Sequence, residues 1–406
     1  MTSHAIPSER PLWLESAAIA LLMTATLKIM ANATISPALP GLAASFPEDP
    51  NAAYLTRFLV AAPSLSVVLV APFAGMAADR FGRVPLLLAG VLLFAISGSA
   101  GAYLPDLQAI LASRLLLGVA VALTMTAQVA LVGDLFAGAR RNAFMGLQTA
   151  AINFSGFLYI GLAGWLAGLS PRLPFLVYAL PVLLVPLLLP FLHGPRQQEA
   201  AGARNDLGPA DASPAAWLLP AFLVAVPTMV TVMMFFLMPS QLPFYLEANG
   251  FDGASGTAFG LGALTLTGGC VAMVFKRISG SLGLSATFGL GFLLMGAGLA
   301  VLAIGALWIF ILGGAALVGA GYALVQPAFL TLALQVAPEH RRGSVSGMIT
   351  TAMFLGQVVS PLTLTPFIQA LGFASVFLGA ALVFALFALG ALTSLVLRPH
   401  RPEHSG

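Results

Sequence analysis

The stretch GMAADRFGR, residues 75–83, is a short charged break in an otherwise apolar part of the chain. Before it, residues 52–77 carry one charged side chain, Arg57; after it, residues 84–103 carry none. Each flank reaches the roughly 20 apolar residues that a helix needs to cross a bilayer. Asp79, Arg80 and Arg83 therefore read as the polar tip of a helical hairpin whose arms lie in lipid.

Extending that reading gives twelve apolar runs, at about 13–39, 52–77, 84–103, 107–133, 142–168, 172–192, 215–245, 254–275, 282–304, 306–336, 343–370 and 373–397. The chain is 59% hydrophobic and 8% charged, with a mean hydropathy of +0.98. A soluble chain of 406 residues needs a far more charged exterior, so the soluble globular class is excluded. The runs are long and continuous rather than short and alternating, which argues against a β-barrel. A single cysteine, Cys270, rules out an intrachain disulfide and a cysteine metal cluster, and no metal or other cofactor is expected. The first run is too long for a signal-peptide core and reads as a retained membrane helix.

Charge sets the expected orientation. With the N-terminus in the cytoplasm, inner links and tails hold Arg10, Arg80, Arg83, Arg140, Arg141, Arg196, Arg204, Lys276, Arg277, Arg341, Arg342, Arg398 and Arg401. The outer side holds Arg172, with Arg57 near the outer end of the second run. That asymmetry accounts for a pI near 9.3 without a nucleic-acid partner. It predicts a multi-pass inner-membrane protein with both termini cytoplasmic. The polar stretch 193–214 reads as a flexible linker. It divides the chain into bundles at 1–192 and 215–406.

The two parts look duplicated. ARRNAFMGLQTAA (139–151) and HRRGSVSGMITTA (340–352) share Arg140/Arg341, Arg141/Arg342, Gly146/Gly347, Thr149/Thr350 and Ala151/Ala352. Each pair is 201 residues apart (341 minus 140, and likewise throughout). Internal repeats of this kind are common in secondary transporters.

Against this background GMAADRFGR resembles the signature loop of the major facilitator superfamily, G-x-L-A-D-R-x-G-R-[RK]. Gly75, Asp79, Arg80, Gly82 and Arg83 match; Ala77 and Val84 depart from it. The resemblance implies an all-α integral membrane fold, with twelve transmembrane helices in two pseudo-symmetric six-helix bundles. It also implies a latch in which Asp79 caps the eleventh helix near Gly343 and Arg83 pairs with Asp134. ILASRLLLGVA (110–120) resembles the family's l-x-x-x-R-x-x-q-G pattern through Arg114 and Gly118. In proton-coupled exporters of the family that arginine is tied to proton coupling. In the fifth run YIGLAG (159–164) keeps only Gly164 of the antiporters' G-P-x-x-G-G, which counts against a drug–proton antiporter.

No aspartate or glutamate falls near mid-membrane, and all five histidines lie in tails or links. The deep ionisable side chains are Lys28 and Arg114, both cationic. Two cations facing a water-filled cavity favour an anionic or electron-rich substrate. Lys28 lies roughly 22 Å along its helix, too deep to snorkel. Thr24, Lys28, Asn32 and Ser36 follow at i+4 steps as a polar stripe expected to face the cavity. With no deep acid or histidine, Lys28 is also the candidate proton carrier. Pro239 and Pro243 should bend the seventh run, where Met229, Met233, Met234, Met238, Phe235, Phe236 and Tyr245 offer an adaptable apolar wall. Gln326 and Tyr322, with Gln148 and Asn153, complete the candidate substrate contacts.

These readings converge on a secondary transporter rather than an enzyme. The expected partners are a small-molecule substrate, protons and the lipid bilayer, and the expected state is a monomer. Proton-coupled export of an amphipathic or anionic compound is the leading expectation. Uptake or facilitated diffusion of an organic anion is the alternative. A membrane enzyme or sensor ranks lowest, since no catalytic or nucleotide motif is present.

Overall fold

The computed structural model describes residues 12, 15–192, 217–305, 307–338 and 341–396. The linker expected over 193–214 and the tail residues Arg10, Arg398 and Arg401 lie outside them. Every regular element among the described residues is helical. Helix α1 covers Ser16–Ala33, α2 Ala52–Phe81, α3 Arg83–Ser99, α4 Leu107–Leu135 and α5 Gly138–Leu169. α6 is a run of tight turns from Leu173 to Leu192. α7 has two pieces, Leu218–Phe235 and Leu237–Ala248. Gly253–Ile304 turns at Gly283 into α8 and α9, α10 is Trp308–Val336, and Arg342–Val396 turns at Gly372 into α11 and α12. Nine described segments are long and apolar enough to cross a membrane; two of these each hold two helices, and α6 adds the last, giving twelve.

Local chemistry explains the irregular elements. Pro37 and Pro40 remove amide donors just past Ala33, so α1 gives way to a tight turn before a short helix, Leu39–Ala44. In α6, Pro174, Pro181, Pro186 and Pro190 recur too often for a continuous α-helical ladder. In α7 the break sits at Phe236, because the Pro239 ring cannot accommodate the carbonyl four residues earlier. Gly82, Gly283 and Gly372 turn the chain at φ values of +91°, +76° and +78°, where a side chain would be strained. Asp106 and Asp252 cap α4 and α8, accepting from the Ala109 and Ser255 amides at 2.7 and 2.8 Å.

The two halves share one packing plan. A Cβ on Gly118 of α4 would overlap the Pro63 carbonyl of α2; 201 residues on, a Cβ on Gly319 of α10 would overlap the Leu264 carbonyl of α8. Gly90 against Thr124 repeats as Gly291 against Val325, and Gly82 repeats as Gly283. Small residues let helices approach closely where no hydrophobic effect drives association. Large apolar side chains such as Phe73, Leu183, Ile309 and Leu382 point outward, as a lipid-facing surface requires. The chain is therefore an all-α, multi-pass membrane fold of two pseudo-symmetric six-helix bundles. α2 meets α11 and α5 meets α8 along two seams between the bundles.

Close approach at Gly118 predicts that Gly118→Ala destabilises the detergent-purified protein, toward the upper end of the roughly 1–3 kcal/mol typical of overpacking. Gly161→Ala, which enters open space on α5, is the matched control. Equal melting temperatures for the two variants would refute the contact.

Candidate functional site

The end of the molecule that carries the α2–α3 link is here termed basic, and the opposite end remote. At the remote end an apolar plug closes the space between the bundles. Ile35, Leu39, Leu42, Leu59 and Val60 from the first bundle pack with Val232, Phe236 and Phe244 from the second. At the basic end Asp79 is exposed and makes no hydrogen bond or ion pair among the described residues. Gly343 at the start of α11 is exposed, with open space around it. The capping contact implied between Asp79 and α11 is thus not made in this conformation, which is closed at the remote end and parted at the basic end. Arg83 is ion-paired with Asp134, tying α3 to the end of α4. Arg80 lies over the Phe81 ring, and Gly75 has open space where a Cβ would sit. Arg140 is bound to Glu15 at 2.6 Å, tying α5 to the start of α1.

Above the plug, Lys28 is half-buried, about 18 Å of helix rise beyond Ser16. Its Nζ stands 5.7 Å from the Phe354 ring of α11 and has no ion pair or hydrogen bond among the described residues. One turn further, the Asn32 amide donates to Gln357 Oε1 at 3.0 Å, and Ser64 of α2 donates to the same oxygen. α1, α2 and α11 therefore meet at one amide. The stripe expected from Thr24 to Ser36 is shorter than its spacing suggested. Thr24 is buried and bonded to Leu21 O, and Ser36 lies past the end of α1, where helical register is lost.

Arg114 does not share the Lys28 space. It is wholly buried inside the first bundle, stacked on Tyr178 at 4.3 Å and Phe175 at 4.7 Å from the ring centres. One Nη reaches the Gly98 carbonyl at 3.4 Å, while Nε and the other Nη have no hydrogen-bond partner among the described residues. The expectation of two cations on one cavity is corrected accordingly: the α6 aromatics intercept Arg114 before it reaches the space between the bundles.

The remaining candidates divide. Tyr322 of α10 is half-buried and stacked on Phe235 at 3.8 Å, forming an aromatic wall. Gln326, one turn along, is half-buried and makes no hydrogen bond among the described residues. Gln148 accepts from Gln128 at 3.2 Å. Asn153 bonds back to Thr149 O and packs on Gly268 and Gly269 of α8, so it belongs to a seam. Of the expected methionine wall, Met229, Met233 and Met234 are half-buried, but Met238 is fully buried. Phe236 is part of the plug, and Tyr245 is committed to the Leu302 carbonyl at 2.7 Å. Glu247, near the end of α7, is exposed at the remote end. An apolar groove of about 580 Å³ between α8 and α10, beside Cys270, includes none of these residues.

Sequence reasoning missed Ser64, Gln241, Phe354, Gln357 and Thr365. For the two glutamines a signal was available, since each is an amide deep in an apolar run.

Two helical bundles with a plug at one end and polar groups in the space between define a membrane solute transporter. A family model described as Major Facilitator Superfamily matches residues 21–361 and 265–406. The chain belongs to the major facilitator superfamily. Multidrug resistance protein 2 of Bacillus subtilis (strain 168) is 36% identical over 118 residues, covering 29% of this chain and 30% of that protein. Quinolone resistance protein NorA of Staphylococcus aureus (strain Mu50) is 28% identical over 145 residues, covering 36% and 37%. The matched stretch thus spans about a third of these relatives' length. Among solved structures, a peptide transporter superposes with a TM-score of 0.74 at 17% identity, covering 93% of this chain and 94% of that one. The nucleoside transporter NupG gives 0.72 at 13%, covering 93% and 99%. At such identities the likeness concerns the fold.

Because Asp79 is exposed and makes no hydrogen bond or ion pair among the described residues, Asp79→Asn should change the protein's stability by no more than about 0.5 kcal/mol. If Asp79 acts only in the alternative conformation, the same variant should lower transport in proteoliposomes. A large drop in melting temperature with unchanged flux would contradict that assignment.

Proposed function

We propose that this transporter exports a small amphipathic or anionic compound, in exchange for protons, by alternating access about a site at Lys28. The observation that carries the reading is the Lys28 ammonium: deep, half-buried, without a counter-ion among the described residues, and facing the Phe354 ring. A cation so placed attracts negative charge, and the nearby aromatic faces accept a flat apolar body. Asn32, Gln357, Tyr322 and Gln326 supply polar and aromatic edges around it, with Gln148 more peripheral. Export is supported by the names of the relatives, which are a multidrug and a quinolone resistance protein. The basic links would lie in the cytoplasm, both termini with them, in an inner membrane. The opening at the basic end then faces the cytoplasm, as loading for export requires. Asp79 would close that opening after loading by capping α11, on a link that the Arg83–Asp134 pair already holds in place, with Gly75, Arg80 and Gly82 beside it. The expected working unit is a single chain whose bundles, 1–192 and 215–406, rock about the site.

A second reading, uptake or facilitated diffusion of an organic anion, shares the Lys28 site. It is favoured by the loss of the Gly-Pro pair at Tyr159 and Ile160, where Tyr159 instead bonds Thr26 at 3.0 Å.

Purified protein in proteoliposomes, with and without an imposed proton gradient, separates the two by direction and coupling. Lys28→Ala should reduce flux of an anionic aromatic probe at least tenfold. Lys28→Arg should retain binding and alter the pH dependence of flux, since a guanidinium does not release its proton. Full transport with an unchanged pH profile in both variants would sink the assignment.

A further inference from the structure

The two seams between the bundles are related by the same 201-residue repeat, yet they are built from different chemistry. In the α5–α8 seam Gly164 lies against Ala258, and Gly156 lies beside Thr265 and Ile29. The corresponding positions in the α2–α11 seam are Thr365, Arg57, Gln357 and Ser64. In the first seam three of these positions hold glycine or alanine, and Thr265 carries a hydroxyl as its equivalent Ser64 does. In the second seam they hold an arginine, a glutamine and two hydroxyls.

Arg57 is the largest departure. Its equivalent is Ala258, and it is buried near the remote end of α2. Its Nε donates to Gln241 Oε1 of α7 at 2.9 Å, and its guanidinium lies 3.7 Å from the centre of the Phe244 ring on the same helix. Gln241 in turn donates through Nε2 to Thr365 Oγ1 of α11 at 2.8 Å. A second Arg57 nitrogen bonds the Ala53 carbonyl, which fixes the side chain to its own helix. One cation of the first bundle thus grips α7 of the second directly and α11 through Gln241, beside the apolar plug of Ile35, Leu39, Phe236 and Phe244. Burying an arginine costs solvation that an alanine would avoid, and the Glu247 carboxylate of α7 offsets part of that cost across the seam. The grip recovers it only while the bundles are together at this end. When they part, water replaces Gln241 and Phe244 as the guanidinium's partners.

We propose that Arg57 is the clasp that holds the remote end shut, binding the bundles through Gln241 and Phe244, and that it releases when the transporter opens at that end. Arg57 acts as a positioning residue for the conformational step. The proposal goes beyond the choice of substrate, because it concerns how one end closes whatever is carried.

The test measures distance across the seam. In full-length protein carrying Cys270→Ser, spin labels at Asn51→Cys and Gln369→Cys report separation between the bundles at the remote end. Both positions are exposed, at the start of α2 and near the end of α11. A second pair, Asn51→Cys with Tyr103→Cys, reports separation within the first bundle. In nanodiscs without substrate, the parent should show mainly the short inter-bundle distance. Arg57→Ala and Phe244→Leu should each raise the long-distance fraction several-fold and leave the intra-bundle distance unchanged. Phe244→Leu keeps an apolar side chain in the plug and removes the ring under the guanidinium, so it decides the matter if Arg57→Ala does not fold. An unchanged inter-bundle distribution in the folded variants, or equal broadening of the intra-bundle distance, overturns the clasp.

Discussion

Gly118 sits so close to the Pro63 carbonyl that one added methyl would overlap it, and Gly319 stands in the same relation to Leu264. In lipid, helices gain nothing from hiding apolar surface from one another, so close backbone approach supplies the packing that holds them together. These contacts place α4 on α2 and α10 on α8. α2 and α8 also face the other bundle, against α11 and α5 respectively. A glycine therefore anchors to its own bundle each inner wall that must move against the opposite one. Rigid bundles with two seams between them follow from that anchoring, and a space that opens at alternate ends needs such rigidity.

The seams show what the repeat leaves free to vary. Where the α5–α8 seam has glycines and an alanine beside Asn153, Phe157 and Thr265, the α2–α11 seam carries a ladder of polar groups joined across the bundles. It runs from Lys28 and Phe354 through Asn32, Gln357 and Ser64 toward Thr365, Gln241 and Arg57. Hydrogen bonds made in a low dielectric are directional, and costly to leave unmade. A polar seam therefore prefers discrete arrangements, whereas a seam of small apolar residues tolerates sliding. The same distinction explains why the Lys28 space borders the polar seam: Phe354 and Gln357, one turn apart on α11, face Lys28 and Asn32, one turn apart on α1.

Much of the fold was legible in the sequence because the bilayer imposes a strict rule on length and polarity. All twelve apolar runs correspond to observed helices, and the GMAADRFGR stretch joins α2 to α3 through Gly82. What escaped was local and three-dimensional. The polar stripe on α1 ended early because two prolines beyond Ala33 stop the helix, so Ser36 left the face that its spacing implied. The proline-rich sixth run read as an ordinary span but winds tightly. Arg114 and Lys28 looked alike as deep cations because depth is readable from sequence and neighbours are not. Tyr178 and Phe175, which separate Arg114 from the space between the bundles, lie about sixty residues away.

The contrast between those two cations bears on charge selection. Arg114 has two aromatic faces and one carbonyl, with Nε and one Nη unpartnered among the described residues, and it lies wholly inside one bundle. Lys28 has one distant ring and half-exposed surroundings. An approaching anion gains little from a cation already screened by its own bundle. It gains more from one whose charge no carbonyl or second ring already shares. Lys28 is thus the deep cation left without an ion pair or hydrogen bond among the described residues, whereas Arg114 is packed into the bundle that presents it.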